Sequence, residues 1–170
     1  MTAQPRAIVV MGVAGSGKTS VALELSRHYG YAFLDADDFH TADAKACMAA
    51  GVPLTDEQRD PCVEALAVEL QRLGREGRST VLAFSGLRAV HRQRLRDLGL
   101  PMRFVFLHAE PSVIAARLAE RRDHFMPALL LGSQFTALQL PVGEPDVLMM
   151  DAERPLPQLL TGIIGAMDAA

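Results

Sequence analysis

The chain has 170 residues, 49% of them hydrophobic and 22% charged, enough for one domain with a buried core. Its net charge of −3 gives no general attraction to nucleic acid or to an anionic membrane surface. Cys47 and Cys62 form neither a metal-ligand spacing nor a disulfide framework. No apolar stretch reaches membrane-spanning length, and the early run "AIVVM" is too short for a secretory signal. The expectation is a single cytoplasmic domain over residues 1–170.

Short apolar runs alternate with helical segments along the chain. Ala7–Met11 reads as a buried strand. Thr19–Tyr29 places Val21, Ala22, Leu25 and Tyr29 at helical spacing. "AFL" before Asp35 is a second strand, and a helix near Ala42–Ala50 stops at Gly51-Val52-Pro53. Thr55-Asp56-Glu57-Gln58 fits a capping box, and Asp60-Pro61 is a place where the helix restarts. Val63, Leu66, Ala67, Leu70 and Leu73 continue it as an apolar stripe. Thr80–Phe84 is a third strand, followed by an arginine-rich helix over Arg88–Leu98. Arg103–Leu107 is a fourth strand, and Ser112–Arg121 is helical. Val147–Met150 is a fifth strand, and Leu156–Met167 a closing helix. This alternation predicts an α/β fold with a parallel sheet covered on both sides. Ligands then bind beyond the carboxyl ends of the strands, where Gly12–Thr19, Asp35–His40, Ser85–Arg88 and the region after Leu107 all fall.

"GVAGSGKT" at Gly12–Thr19 matches the G-x-x-x-x-G-K-[ST] phosphate loop, in the strand-to-helix context the motif needs. Its residues Gly12, Val13, Ala14, Gly15, Ser16, Gly17, Lys18 and Thr19 are the nucleotide-binding candidates. Glycines let backbone N–H groups close around phosphate oxygens, and the following helix points its positive end at the same anion. Lys18 would reach the β- and γ-phosphates, and Thr19 would ligate Mg²⁺. Lys18 and Lys45 are the only lysines among 17 basic residues, so a lysine kept inside this loop points to a chemical demand.

In an extended chain, Asp35 and Asp37 share a face while Asp38 points away. Phosphoryl transfer uses one acid near the metal and one near the acceptor hydroxyl; Asp35 and Asp37 are the pair. A solvated acidic turn is the other reading. His40 either contacts substrate or caps the next helix. Arg88, Arg92 and Arg96 share one helix face. A solvated face explains most of that run, and Arg88 at the strand end is the one placed to meet an anion. Arg117 and Arg121 lie one turn apart ahead of "DHFMPALLLGSQF", a segment with Pro127 and Gly132 that suits a mobile flap. Arginines on a closing lid neutralise charge on a transferring phosphoryl group.

With these residues in view, the chain resembles the gluconate kinases, small phosphate-loop carbohydrate kinases. The likeness runs through "VVMGVAGSGKTS", "FLDADDFH", "GVPLTDEQRDP", "SGLRAVHRQRLR", "RLAERRDHFMP" and "SQFTALQLP". It implies a five-stranded parallel sheet sandwiched by helices, with a lid at about 122–140. It also implies Mg-ATP as phosphoryl donor, the terminal hydroxyl of D-gluconate as acceptor, and a homodimer. Catalytic roles fall to Lys18, Asp37 and Arg121, and the Mg²⁺ to Asp35. Nucleotide contacts fall to the loop with Arg117 and Arg121, and acceptor contacts to Asp37, His40, Arg59, Arg88 and His124.

Departures from the family pattern gather on the acceptor side. A Pro expected after His40 is Thr41, an Asn is Ala44, a Lys is Cys47 and a Trp is Cys62. "Ser-Ala-Leu-Lys" has become Ser85-Gly86-Leu87-Arg88, a Tyr is His91, and a Glu is Gln139. These losses predict a weaker or broader acceptor preference, and a kinase for another sugar acid or polyol is the competing function. A guanine-reading switch finds no Asn-Lys-x-Asp segment here. A dead scaffold would not need to keep Lys18, Asp35 and Asp37.

Overall fold

In the computed structural model, which describes residues 4–120 and 128–169, five strands form one parallel sheet in the order β2-β3-β1-β4-β5. The strands are β1 (Ala7–Met11), β2 (Ala32–Asp35), β3 (Thr80–Ala83), β4 (Met102–His108) and β5 (Val147–Asp151). Helices α1 (Lys18–Tyr29), α2 (Ala42–Ala49), α3 (Asp56–Arg75) and α4 (Ala89–Arg96) come before β4. α5 (Pro111–Glu120), α6 (Ala128–Ala137) and α7 (Leu156–Asp168) follow. The parallel pairing agrees with the alternation in the sequence.

β1 sits at the centre, with Val9 opposite both Leu82 of β3 and Phe104 of β4. All of β1 is buried, as a run without a polar position requires. Alternate residues feed two cores. Val9, Met11, Leu82 and Phe104 pack against Leu66 and Leu70 of α3 and Leu95 of α4. Ile8, Val10, Val81 and Val105 pack on the other face against Val21 and Leu25 of α1 and Ile163 and Met167 of α7. A third cluster, Val13 with Leu87, Ile114, Leu118 and Leu131, lies under the loops at the carboxyl ends. Among the described residues no helix is long and apolar enough to cross a membrane.

Three local expectations change. The capping box at Thr55 and Gln58 forms, but the helix does not restart at Pro61. α3 runs unbroken from Asp56 to Arg75 with Pro61 inside it. The missing N–H leaves only the carbonyl of Glu57, an exposed residue, without its helical donor. The segment expected as a flap contains a helix, α6. The face of α4 expected to be solvated is largely buried. Arg92 has 0% exposure and donates to Gly86 O at 2.7 Å and to Glu144 Oε2 at 2.8 Å. Arg96 pairs with Asp146 at 2.7 Å and lies over the Phe104 ring. Burial alone would raise the Glu144 carboxyl, but Arg92 and Arg96 hold it below its ordinary range. Guanidinium groups tolerate such burial because their fork meets two acceptors at once.

Candidate active site

The carboxyl ends of β1, β2 and β3 open onto one cavity of about 680 Å³. From the first side come Ala14, Gly15, Gly17, Lys18 and Thr19. Gly17 starts α1 with φ 94°, a left-handed conformation that glycine adopts without cost from a Cβ. Gly12, Val13 and Ser16 of the same motif do not line the cavity. Gly12 donates its N–H to Ser85 O at 3.2 Å, which ties the phosphate loop to the loop after β3. A Cβ at Gly12 would lie 2.5 Å from Ser16 Oγ, so this glycine answers to packing. The Val13 side chain belongs to the third cluster.

The acids arrive from β2, by a different backbone from the extended one expected. Residues Ala36–Phe39 form a 3₁₀ turn, and the Asp35 side chain caps it by accepting from Asp37 N at 3.0 Å. Asp35 and Asp37 both line the cavity, and Asp38 is exposed outside it. Asp35 is half-buried, and burial pushes its carboxyl above the ordinary range; the hydrogen bond from the Asp37 N–H opposes this, the charges of Asp37 and Asp38 add to it, and Lys18 opposes it. A cation beside Asp35 would offset that cost.

His40 lines the cavity too. Capping of α2 falls to Thr41, whose side chain accepts from Ala44 N at 3.1 Å, so the capping alternative for His40 does not hold. His40 Nε2 lies 3.6 Å from Asp37 Oδ1. Asp37 first, and then Cys62, raise the His40 pKa to about 9. The imidazole is therefore a cation at neutral pH.

The far wall is made of side chains. Arg59, half-buried on α3, lines the cavity and a neighbouring groove, and Arg88 lines that groove. Both face Asp56, at 3.6 Å and 3.4 Å, so two guanidinium groups share one carboxylate and leave a net positive charge. Burial lowers the Arg59 pKa, Asp56 opposes that shift and the Arg88 charge adds to it. Arg88 is carried by the loop after β3. There Gly86 has φ 58°, which favours glycine, and a Cβ would displace the Met11 side chain. His91, buried on α4, accepts or donates at Nε2 with Asp60 Oδ1 at 2.8 Å and also lines the cavity.

Two residues outside the sequence candidates join this wall. Gln134 of α6 accepts from Ala14 N at 2.8 Å and lines the cavity. Gln139 fastens the exit of α6 to the loop after β3, donating its N–H to Leu87 O at 2.7 Å and accepting from Ala89 N at 2.7 Å. Neither contact has a spacing signal, because the partners are about 50 and 120 residues apart. Arg117 is not brought to the cavity; it donates to Ala152 O at 2.6 Å. Arg121 and His124 lie outside the described residues.

A site of this kind holds a nucleoside triphosphate against the loop and a small acceptor against the opposite wall, the layout of a phosphate-loop kinase. Residues 8–139 match the family model described as an AAA domain. The chain is 35% identical to a probable gluconokinase of Xenopus tropicalis, over 95% of this chain and 93% of that one. It is 37% identical to a gluconokinase of Gluconobacter oxydans, over 91% and 86% of the two chains. The crystal structure of a gluconokinase from Sinorhizobium meliloti superposes with a TM-score of 0.88 at 35% identity, over 98% and 93%. The chain belongs to the gluconokinase family.

Proposed function

We propose that the protein transfers the γ-phosphoryl group of ATP to the 6-hydroxyl of D-gluconate. One observation carries this reading: a single cavity is lined by Lys18 and Thr19 and also by Asp37, His40 and Arg59. The gluconate hydroxyl attacks the γ-phosphorus, the bond to the β-phosphate oxygen breaks, and ADP leaves. Asp37 orients the hydroxyl and takes its proton. Lys18 and the loop N–H groups hold the phosphates. His40, Arg59, Arg88 and His124 hold the sugar acid, with the arginines on its carboxylate. Arg117 and Arg121 meet the nucleotide when a lid over about 122–140 closes.

The metal proposed is Mg²⁺, which binds through one or two protein oxygens, phosphates and water. Asp35 and the Thr19 hydroxyl fit that requirement, since both line the cavity and burial disfavours a lone Asp35 carboxylate. When bound, Mg²⁺ neutralises charge on the transferring phosphates. We also read the chain as one kinase domain over residues 1–170, acting as a cytoplasmic homodimer, in keeping with the resemblance. The test is release of ADP on adding gluconate to enzyme and Mg-ATP. Equal release without gluconate would contradict the acceptor assignment.

A further inference from the structure

We infer that Gln134 is a further residue of the transfer machinery, holding the phosphate loop with one end of its amide and meeting the phosphoryl group with the other. A backbone N–H only donates, so the Gln134 atom 2.8 Å from Ala14 N is the carbonyl oxygen. That contact fixes the amide's orientation and leaves its NH₂ as the outer end, a neutral pair of donors. The side chain lines the same cavity as Lys18, Asp37 and Arg59. Its helix neighbours Ser133 and Ala137 line the groove that Arg59 and Arg88 share.

Its helix is anchored at both walls. Leu131 of α6 packs in the cluster that contains Val13 of the phosphate loop and Leu87 of the loop after β3. Gln139, two residues past the helix, is hydrogen-bonded to Leu87 and Ala89. Gln134 is thus held by elements that carry both substrates. In-line transfer needs the reacting atoms about 3–3.5 Å apart, and charge develops on the phosphoryl oxygens between the walls. A donor fixed in advance at that point stabilises the charge without reorganising. Lys18 supplies charge from the loop side, and Gln134 supplies an oriented donor from the lid side.

The role presupposes the ATP-dependent transfer proposed above. Two variants separate it from a packing role. Gln134→Glu keeps an oxygen acceptor for Ala14 N and removes the donor. Gln134→Met removes both at similar volume and adds no charge. Steady-state kinetics with Mg-ATP and gluconate, and thermal melting, are measured beside wild type. Expected for both variants is a fall in kcat of about 10- to 100-fold, with KM for gluconate within about threefold. Gln134→Glu should melt within about 2 °C of wild type, since its contact to the loop survives. A Gln134→Glu enzyme within about twofold of wild-type kcat would overturn the inference. So would a folded Gln134→Met enzyme with wild-type kcat, even if the Glu variant lost ATP affinity through charge repulsion. Wild-type enzyme that releases no ADP with gluconate would overturn the kinase reading itself.

Discussion

The two ends of the cavity are built from different material. The nucleotide end is mostly backbone: Ala14, Gly15 and Gly17 line it in one short turn, with Lys18 and Thr19 at the start of α1. The acceptor end is side chains drawn from β2, α3, the loop after β3, α4 and α6. Asp37, Arg59, Arg88, His91 and Gln134 are spread over nearly a hundred residues. A backbone site demands consecutive residues of fixed type. A side-chain site demands only that several segments arrive together, so it tolerates change, and the departures at Cys62 and His91 fall there.

If the division is right, damage at the nucleotide end stops the reaction for every acceptor. Lys18→Ala should lower kcat by on the order of 10³-fold or more with any sugar acid, while the fold survives because the Lys18 side chain lines the cavity and belongs to none of the buried clusters. Turnover near wild type, measured beside an unchanged melting curve, would break the comparison at its first term. Asp37→Asn stands at the junction. It should reduce kcat by about 10²–10³-fold and leave ATP affinity almost unchanged. Loss of ATP affinity with kcat preserved would move Asp37 to the metal side.

Arg88→Ala sharpens the acceptor end. Losing a charge-assisted hydrogen bond to the substrate carboxylate should raise KM for gluconate about 10- to 100-fold. KM for ATP and the activity on a neutral sugar should barely move. Arg92→Met probes the support beneath that wall. Arg92 is fully buried and shares Glu144 with Arg96, so its loss should cost about 3 kcal/mol, the low end for a broken buried pair. The melting point should fall by roughly 6–12 °C.

The smallest effect is in the pH dependence of stability. His40 is raised to about 9 in the folded chain, against an ordinary 6.5. A group with a raised folded pKa stabilises fully below its unfolded value, and that contribution is lost as pH climbs through the folded one. Melting temperature should therefore decline between about pH 6.5 and 9, and His40→Gln should flatten that decline. An identical slope in the variant would remove His40 as its source.

The sequence made the two ends unequally legible for the same reason. Gly12–Thr19 was readable because the motif is contiguous and its strand and helix carry their own periodicity. Asp35 and Asp37 were readable as residues, but the 3₁₀ turn that sets them was not, since four residues give no period. Arg92 and Arg96 read as solvated because the carboxylates that bury them, Glu144 and Asp146, lie some 50 residues further on. Pro61 read as a restart although a proline near a helix start leaves only one carbonyl unpaired. Gln134 was invisible: its one defining contact is to a backbone N–H 120 residues away.

The most direct measurement is kcat/KM for gluconate, glucose, shikimate and a set of other sugar acids, followed by ADP release under Mg-ATP. Arginines aimed at a carboxylate and buried polar groups aimed at hydroxyls reject acceptors that leave them unpaired. Gluconate should therefore exceed glucose by about 10²–10⁴-fold, with other sugar acids falling in between. Glucose or shikimate matching or exceeding gluconate would contradict gluconate as the acceptor.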